Sequence, residues 1–185
     1  MDELIDVLDA DGAKTGETVL KSVAHQKGIF HQTVHVWFFT SDGRILLQQR
    51  GKHKKIFPLL WDVSVAGHIG AGELVETAAV REIEEEIGLS VTKNDLEKIG
   101  VFKSIQKHDA DLLDCEFHHI FISELKIPFK NLKIQESEVA DLRLTSLLQF
   151  SEETWGLANT HKYVPHAADY YKMVVIAIKK AIANL

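Results

Sequence analysis

Alternating apolar and polar positions mark most of the predicted β-strands. Leu4 to Leu8 is a short alternating run that predicts an edge strand, and Asp9 to Gly12 supplies the turn after it. Thr33 to Thr40 is rich in β-branched and aromatic residues and predicts a central strand, which a hairpin turn at Ser41 to Gly43 joins to a partner at Arg44 to Arg50. Further strands are predicted at 62–66, 97–107, 114–125 and 142–144, with a polar turn at 109–111 between the second and third of them.

A periodicity near 3.6 residues predicts the helices. Apolar residues recur at helical spacing from His166 to Leu185, which indicates an amphipathic helix that closes the domain. Shorter helices are predicted from Thr18 to Gln26, ended by Gly28, and from Ser146 to Phe150. No internal repeat, low-complexity segment or linker interrupts the chain. We therefore expect one domain over residues 1–185, of the α+β class, with a mixed β-sheet between helices.

The central feature of the chain is a glycine-rich loop, Gly67 to Glu73, that leads into an acidic amphipathic helix. At about 100° per residue, the side chains of Glu82, Glu85 and Glu86 fall within an arc of roughly 100°. This arc borders the apolar stripe that the helix buries, whereas Glu84 points away and is expected to be solvated. The three carboxylates therefore border the core rather than pointing straight into water.

These carboxylates lack the cations that normally accompany a solvated acidic face. Arg81 is the only lysine or arginine between Gly67 and Leu89. Like charges three or four positions apart destabilise a helix by about 0.2–0.5 kcal/mol per pair. Oxygen ligands that converge on one side of a helix suit a hard divalent cation such as Mg²⁺ or Mn²⁺. The spacing favours a metal site, with an acidic surface patch as the alternative.

Composition and charge narrow the class of protein. The 185-residue chain is 45% hydrophobic, enough for an ample core, and its net charge of −6 argues against a broad nucleic-acid surface but not against a small nucleotide substrate. Its single cysteine, Cys115, can form no intramolecular disulfide, and the first residues lack the pattern of a signal sequence. No apolar run approaches the ~20 residues of a membrane span. We expect a cytoplasmic protein with no membrane association.

The loop and helix together resemble the Nudix box. Gly67, five residues, Glu73, seven residues, and then Arg81-Glu82-Ile83-x-Glu85-Glu86-x-Gly88-Leu89 match each fixed position of that motif. The resemblance implies a Nudix-type α/β/α sandwich in which Glu82, Glu85 and Glu86 hold Mg²⁺ or Mn²⁺, joined by the backbone carbonyl of Gly67. It also implies that Arg81 and Glu73 brace the loop against the helix.

The reaction that this resemblance implies is hydrolysis of a nucleoside diphosphate or other organic diphosphate by a metal-dependent pyrophosphohydrolase. Arg50 at a strand end and Lys54 in the following loop are candidates for binding phosphate oxygens. Glu138 is the candidate general base, with an exposed loop acid as the alternative interpretation. The motif does not identify the substrate. A homodimer would be in keeping with the family.

A second resemblance covers most of the chain more weakly. Ala24-His25, His31 before Trp37, and the segment from Trp61 to His68 are similar to isopentenyl-diphosphate isomerase, which shares the Nudix fold. This resemblance implies a second metal site and a pocket tryptophan at Trp155, with Trp61 as a further pocket wall. The implied ligands of the second metal are His25, His31, His68, Asp114 and Glu116; the last two lie two apart on a strand and face one side.

One residue departs from the isomerase pattern. The isomerase uses a cysteine as an acid/base two residues before the loop histidine, and this chain has Ala66 there. Because alanine has no proton to transfer, we expect a hydrolase, with an isomerase as the alternative. Of the remaining histidines, His53, His108 and His166 are expected to be solvated, and strand alternation places His118 and His119 on opposite faces.

Overall fold

The computed structural model describes residues 2–109, 112–158 and 160–185. Within them the chain forms nine β-strands and four α-helices, with 3₁₀ turns at Lys93–Asp95 and Phe129–Asn131. In chain order the elements are β1 (Leu4–Leu8), β2 (Lys14–Leu20), α1 (Lys21–Lys27), β3 (His31–Phe39), β4 (Arg44–Arg50), β5 (Trp61–Asp62), β6 (Val65–His68), α2 (Val75–Ile87), β7 (Glu97–Asp109), β8 (Leu112–Glu124), β9 (Val139–Ser146), α3 (Leu147–Thr154) and α4 (Ala168–Ala183). Residues 110 and 111 of the predicted turn lie outside the described residues.

Three predicted elements were wrong in extent. Thr18 to Leu20 belongs to β2 rather than to a helix, because the β-branched pair Thr18-Val19 forms a ladder with β1; the helix starts only at Lys21. The predicted strand at 62–66 is two short strands, because β5 pairs with β4 whereas β6 pairs with β3. The predicted strand at 142–144 extends to Val139–Ser146, since it pairs along the whole length of β4.

The main sheet is organised around β3. On one side β3 pairs in parallel with β8, which pairs in turn with the antiparallel β7. On the other side β3 pairs with β6 over residues 33–36 and meets β4 at the hairpin. β4 also carries β9 and β5, and β1 with β2 forms a separate two-stranded sheet. The mixed sheet that the sequence predicted is confirmed.

Helices cover both faces of this sheet, which confirms the α/β/α sandwich. Strand alternation sends Val34 and Phe38 of β3 into a core beneath α2, and sends Trp37 and Phe39 into a second core beneath α3 and α4. All nine residues of β3 are buried for this reason. No helix among the described residues is long and apolar enough to cross a membrane.

The face of β3 and β8 beneath α4 changes from apolar to polar along its length. At one end it carries Trp37, Phe39, Ile120 and Ile122, which belong to the second core. Towards the start of both strands the same face carries polar side chains instead, from His31, Thr33, His35, Asp114, Glu116 and His118. The parallel register places His31 beside Glu116 and Thr33 beside His118. The fold therefore brings together polar residues that are more than 80 positions apart in sequence.

Candidate active site

The three carboxylates of α2 differ in their environment. Glu86 is buried, only 5% exposed, and accepts hydrogen bonds from the side-chain amide of Gln48 at 2.9 Å and from the backbone N–H of Ala66 at 3.3 Å. The side chain of Glu82 is 12% exposed, whereas that of Glu85 is 52% exposed. Glu84 is exposed, as predicted. The carboxylates thus extend from the core to the surface along one side of the helix.

Gly67 is a glycine because Glu82 lies directly against it. A Cβ added at Gly67 would lie 2.0 Å from Cδ and 2.2 Å from Oε1 of Glu82, far inside van der Waals contact. The backbone of Gly67 is not in the left-handed region, so close approach and not backbone conformation requires the glycine. The arrangement holds the Glu82 carboxylate against the backbone of β6.

Arg81 and Glu73 connect the glycine loop to the helix. The guanidinium of Arg81 donates to both carboxylate oxygens of Glu73, at 3.1 and 3.0 Å, and to the backbone carbonyl of His68 at 3.1 Å. It also donates to Glu82 at 2.7 Å. Glu73 accepts a further bond from the backbone N–H of Gly70 at 3.0 Å. One planar cation therefore joins the loop backbone, the loop acid and the first carboxylate of the site.

Burial changes the proton affinity of these groups. Burial is the main cause that raises the pKa of Glu86 to about 8, and it also raises the pKa of Glu82. Hydrogen bonding to Glu73 is the main cause that raises the pKa of Arg81 above its usual value. A nearby positive charge would therefore favour the deprotonated form of both carboxylates.

A cavity of about 330 Å³ lies over these carboxylates. Besides Glu82, Glu85 and Glu86 it is lined by Gly67, Lys21, Lys54 and Glu138, among others. Lys54 and Glu138 form an ion pair with each other at its edge. The predicted carboxylates, the predicted cation Lys54 and the predicted base Glu138 are thus brought to one cavity, together with Lys21, which sequence reasoning did not single out.

The predicted histidine group lies on the opposite face of β6. One ligand atom from each of His25, His31, His68 and Glu116 can be chosen so that all four lie within 4.8 Å of one another. The Nε2 atoms of His25 and His68 are 3.1 Å apart, and Nε2 of His31 lies 3.3 Å from Glu116 Oε1. His68 follows Gly67 on β6, so the histidine group adjoins the carboxylate cavity, which both residues line.

Asp114, predicted as a fifth ligand, is not part of this converging group. Its Oδ1 instead contacts Nδ1 of His25, and its Oδ2 accepts a bond from Nε2 of His108 at 2.8 Å. A carboxylate on the far nitrogen of an imidazole fixes the ring orientation and tautomer. The bond from His108 also shows that His108 is not solvated, contrary to the prediction, because the side chain packs against Phe57 and Asp114.

The four-residue group suits a divalent cation. Nε2 of His31 is buried and has no hydrogen-bond partner among the described residues. The Nε2 atoms of His25 and His68 face each other across 3.1 Å. A cation shared between these lone pairs would satisfy all of them at once. Three imidazoles and one carboxylate suit a transition metal such as Mn²⁺ or Zn²⁺, whereas the α2 carboxylates suit Mg²⁺ or Mn²⁺.

A second cavity of about 260 Å³ adjoins the first across β6. Its walls include the histidine group, and Lys21, Lys54, Ala66, Gly67 and His68 line both cavities. Arg50 lines it too, but the guanidinium donates to Oδ2 of the buried Asp62 at 3.0 Å and to the carbonyl of Ile56 at 3.1 Å. Arg50 is thus held beside the cavity by two protein acceptors.

Three further imidazoles, those of His35, His118 and His166, also line this second cavity. The prediction that His166 is solvated was wrong, because its Nε2 donates to Asp62 at 2.9 Å and the ring packs against Tyr170. Burial is the main cause that lowers the pKa of His118 to about 4 and holds the pKa of His35 well below its usual value. Sequence gave no signal for this cluster beyond the alternation along β3 and β8.

Neither of the two predicted pocket tryptophans is among the described residues that line the second cavity. The guanidinium carbon of Arg143 lies over the ring of Trp61, 4.1 Å from the ring centroid. Trp155 follows the last turn of α3. Both pack against the core beneath α4. The described geometry therefore does not bring them to the histidine group.

The α/β/α sandwich and the loop–helix carboxylate motif together match the Nudix domain. The NUDIX domain family matches residues 29–167, which is most of the chain. The chain belongs to the Nudix hydrolase family.

Known relatives agree with this assignment. An uncharacterised Nudix hydrolase of Clostridium acetobutylicum is 30% identical in an alignment that covers 96% of this chain and 97% of the relative. Nudix hydrolase 3 of Arabidopsis thaliana is 36% identical over 77% of this chain, which spans only 19% of that longer protein. An isopentenyl-diphosphate Delta-isomerase of Serratia proteamaculans is 36% identical over 66% of each chain.

Among solved structures, DR0079 of Deinococcus radiodurans shares the fold. It superposes with a TM-score of 0.72 over 92% of this chain and 98% of its own, at 16% sequence identity. That similarity supports the fold alone.

Proposed function

We propose that this protein is a divalent-metal-dependent pyrophosphohydrolase that cleaves an organic diphosphate by attack of water on phosphorus. The observation that carries the proposal is the convergence of Glu82, Glu85 and Glu86 with Lys21 and Lys54 on one cavity. The carboxylates would hold Mg²⁺ or Mn²⁺, which when bound neutralises diphosphate charge and lowers the pKa of a coordinated water.

The roles of the remaining residues follow from their positions. Lys21 and Lys54 would bind the phosphate oxygens, since both line the two adjoining cavities. Arg50 would contribute from the second cavity while it stays anchored to Asp62. Arg81 and Glu73 would keep the Glu82 carboxylate and the loop backbone in place.

Glu138 would act as the general base. Glu138 lines the cavity, and its carboxylate forms an ion pair with Lys54. In the step it would catalyse, water oxygen forms a bond to phosphorus while the bridging P–O bond breaks. The leaving phosphate takes the electron pair and Glu138 takes the water proton.

The His25, His31, His68 and Glu116 group would hold a second cation, with Asp114 as the carboxylate that orients His25. The identity of this metal is best tested by metal analysis of protein expressed in defined media. We further propose that residues 1–185 act as one domain in the cytoplasm. A homodimer is the expected assembly.

An isopentenyl-diphosphate isomerase is the second candidate, favoured by the identity with the Serratia enzyme. Ala66 argues against it, because its methyl side chain has no proton to donate and its backbone N–H already donates to Glu86. Incubation of isopentenyl diphosphate with the protein in heavy water tests this candidate. Deuterium in the allylic product would establish isomerase activity, and we expect none.

The main experiment compares Glu85→Gln with Glu84→Gln, which makes the same change one residue earlier on the solvated side. Phosphate release is measured over a panel of nucleoside and isoprenoid diphosphates with Mg²⁺ and with Mn²⁺. Because loss of an outer-shell partner alone costs about 10–100-fold, we expect Glu85→Gln to lower kcat by more than about 100-fold. Equal activities of the two variants, with unchanged circular dichroism, would contradict the metal assignment.

A further inference from the structure

Three imidazoles in the second cavity have no part in the proposed hydrolysis. His35, His118 and His166 belong to β3, β8 and the segment before α4, and all three line the cavity next to the histidine group. The rings of His35 and His118 are stacked with centroids 4.0 Å apart, and that of His166 lies 5.5 Å from His35. The wall of the second cavity therefore contains a patch of three imidazole rings.

A chain of hydrogen bonds holds the ring of His35. Nε1 of Trp37 donates to the hydroxyl of Tyr170 at 3.0 Å, and that hydroxyl lies 2.6 Å from Nδ1 of His35. Nδ1 of His35 is therefore engaged within the protein, which leaves Nε2 as the second hydrogen-bonding atom of the ring. Within the described part of the chain, no residue hydrogen-bonds that Nε2.

The other two imidazoles are anchored in the same manner. Nδ1 of His118 lies 2.8 Å from the hydroxyl of Thr33. Nε2 of His166 donates to Asp62 at 2.9 Å, and Arg50 donates to the other oxygen of Asp62. Among the described residues, each ring therefore has one nitrogen held by the protein and one without a protein hydrogen bond.

This arrangement distinguishes polar from hydrocarbon occupants. A hydrocarbon chain in the cavity would leave the three ring nitrogens without partners once water is excluded, which is unfavourable for buried polar groups. A group with both acceptors and donors would satisfy them. The charge of Arg50 is balanced by its ion pair with Asp62. The part of the cavity wall formed by the three histidines therefore offers hydrogen bonds rather than a net charge.

The size of the cavity agrees with one ring system. At about 260 Å³ it lies just below the roughly 300–1,000 Å³ typical of sites for drug-sized ligands. The adjoining cavity over the α2 carboxylates shares Lys21, Lys54, Ala66, Gly67 and His68 with it, so a diphosphate held at the carboxylates could carry its organic group into the second cavity.

We propose that the second cavity binds the organic group attached to the diphosphate, and that His35, His118 and His166 select an uncharged hydrogen-bonding ring, a heterocyclic base or a hydroxylated sugar, over a hydrocarbon chain. This proposal rests on the proposed hydrolase function and names the substrate class for it. The three histidines are specificity residues that contact the substrate away from the reacting phosphorus.

The test compares three diphosphates that differ in the attached group: nucleoside diphosphates, phosphoribosyl diphosphate and isopentenyl diphosphate. With wild-type protein we expect kcat/KM for the best of the first two to exceed that for isopentenyl diphosphate by at least about 100-fold. The preference between base and sugar identifies which polar ring the cavity takes. A higher kcat/KM for isopentenyl diphosphate would overturn the proposal.

Variants assign the preference to the histidines. His35→Phe and His118→Phe keep a planar ring but remove the nitrogens, and His53→Phe makes the same change at an exposed histidine as a control. We expect the first two to raise KM for the polar substrate about 10-fold or more with kcat within threefold, and His53→Phe to change neither. Unchanged KM in both cavity variants would overturn the proposal.

A measurement on the wild-type protein removes any dependence on the folding of the variants. Imidazole ¹⁵N signals are recorded with the monophosphate product of the best substrate and with isopentenyl monophosphate. We expect the signals of His35, His118 and His166 to shift with the polar probe only, and equal shifts with both probes or none would overturn the proposal. Hydrolysis that needs Glu85 but not these histidines would refute this inference and leave the proposed function intact, whereas absence of hydrolysis would refute the proposed function.

Discussion

Replacing Gly67 by alanine tests whether the close contact with Glu82 organises the carboxylate site. The added Cβ would lie 2.0 Å from Cδ and 2.5 Å from Cγ of Glu82, whereas carbon atoms pack at about 3.5–4.0 Å. The Glu82 carboxylate must therefore move by more than about 1 Å, away from β6 and from its bond with Arg81. A displacement of that size at a catalytic centre costs about 100-fold in rate.

The cost in stability should be much smaller than the cost in activity. The clashing atoms belong to the end of a side chain, so we expect the lower end of the 1–3 kcal/mol range for overpacking, about 1 kcal/mol. For a chain of this size that corresponds to a Tm lowered by about 2–4 °C. Phosphate-release kinetics and calorimetry on Gly67→Ala measure the two effects separately.

A double-mutant cycle with Glu82→Ala isolates the contact. Glu82→Ala removes the atoms that clash, so adding Gly67→Ala in that background should change the free energy of unfolding by close to zero. The coupling should then be about 1 kcal/mol, within the range measured for residues in contact. If Gly67→Ala keeps near-wild-type kcat, or costs the same stability in both backgrounds, the contact does not position the carboxylate.

Three further predictions concern protonation, the second cation and the anchoring of the segment before α4. Burial raises the pKa of Glu86 from 4.5 to about 8, so between these pH values the metal-free fold holds a proton that the unfolded chain releases. The stability that depends on this proton is complete below pH 4.5 and is lost as the pH rises towards 8. Tm of the metal-free protein should fall between those pH values, and Glu86→Gln should flatten that slope in calorimetry. Asp114→Asn should weaken metal binding at the histidine group about 10–100-fold in competition titrations, whereas the same affinity as wild type would exclude a role in orienting His25. Glu153→Ala leaves the hydroxyl of Tyr163 and the ammonium of Lys162 without their acceptor, so we expect a loss of about 1–3 kcal/mol and faster hydrogen exchange at 160–164; unchanged exchange would contradict it.

Local patterns were enough to predict the mixed sheet between helices and the directions of the glutamates on α2. The helical wheel separated Glu82, Glu85 and Glu86 from Glu84, because those directions depend only on the 3.6-residue repeat. The wheel does not show that Glu86 is buried and Glu85 half exposed. That difference depends on how deeply β6 and Gln48 of β4 pack against the helix.

Residues that meet only through strand pairing were harder to predict. His35 and His118 lie 83 positions apart, and nothing local in either segment indicates that their rings stack. His166 was predicted to be solvated, yet it bonds to Asp62, which is 104 positions away in sequence. The extent of β2 was missed although β1 was predicted, because nothing local in either segment indicates that the two strands pair.

The parallel register of β3 and β8 limits how this site can change over evolution. His31, Thr33 and His35 share one face with Glu116 and His118 only because the two strands keep a single alignment. Inserting or deleting one residue within either strand would turn the side chains of that strand beyond the change to the opposite face and break their alignment with the other strand. Point substitutions, in contrast, alter one wall position at a time. New substrate preferences in such a scaffold should therefore arise by exchange of residues within these strands, while changes in length remain confined to the loops.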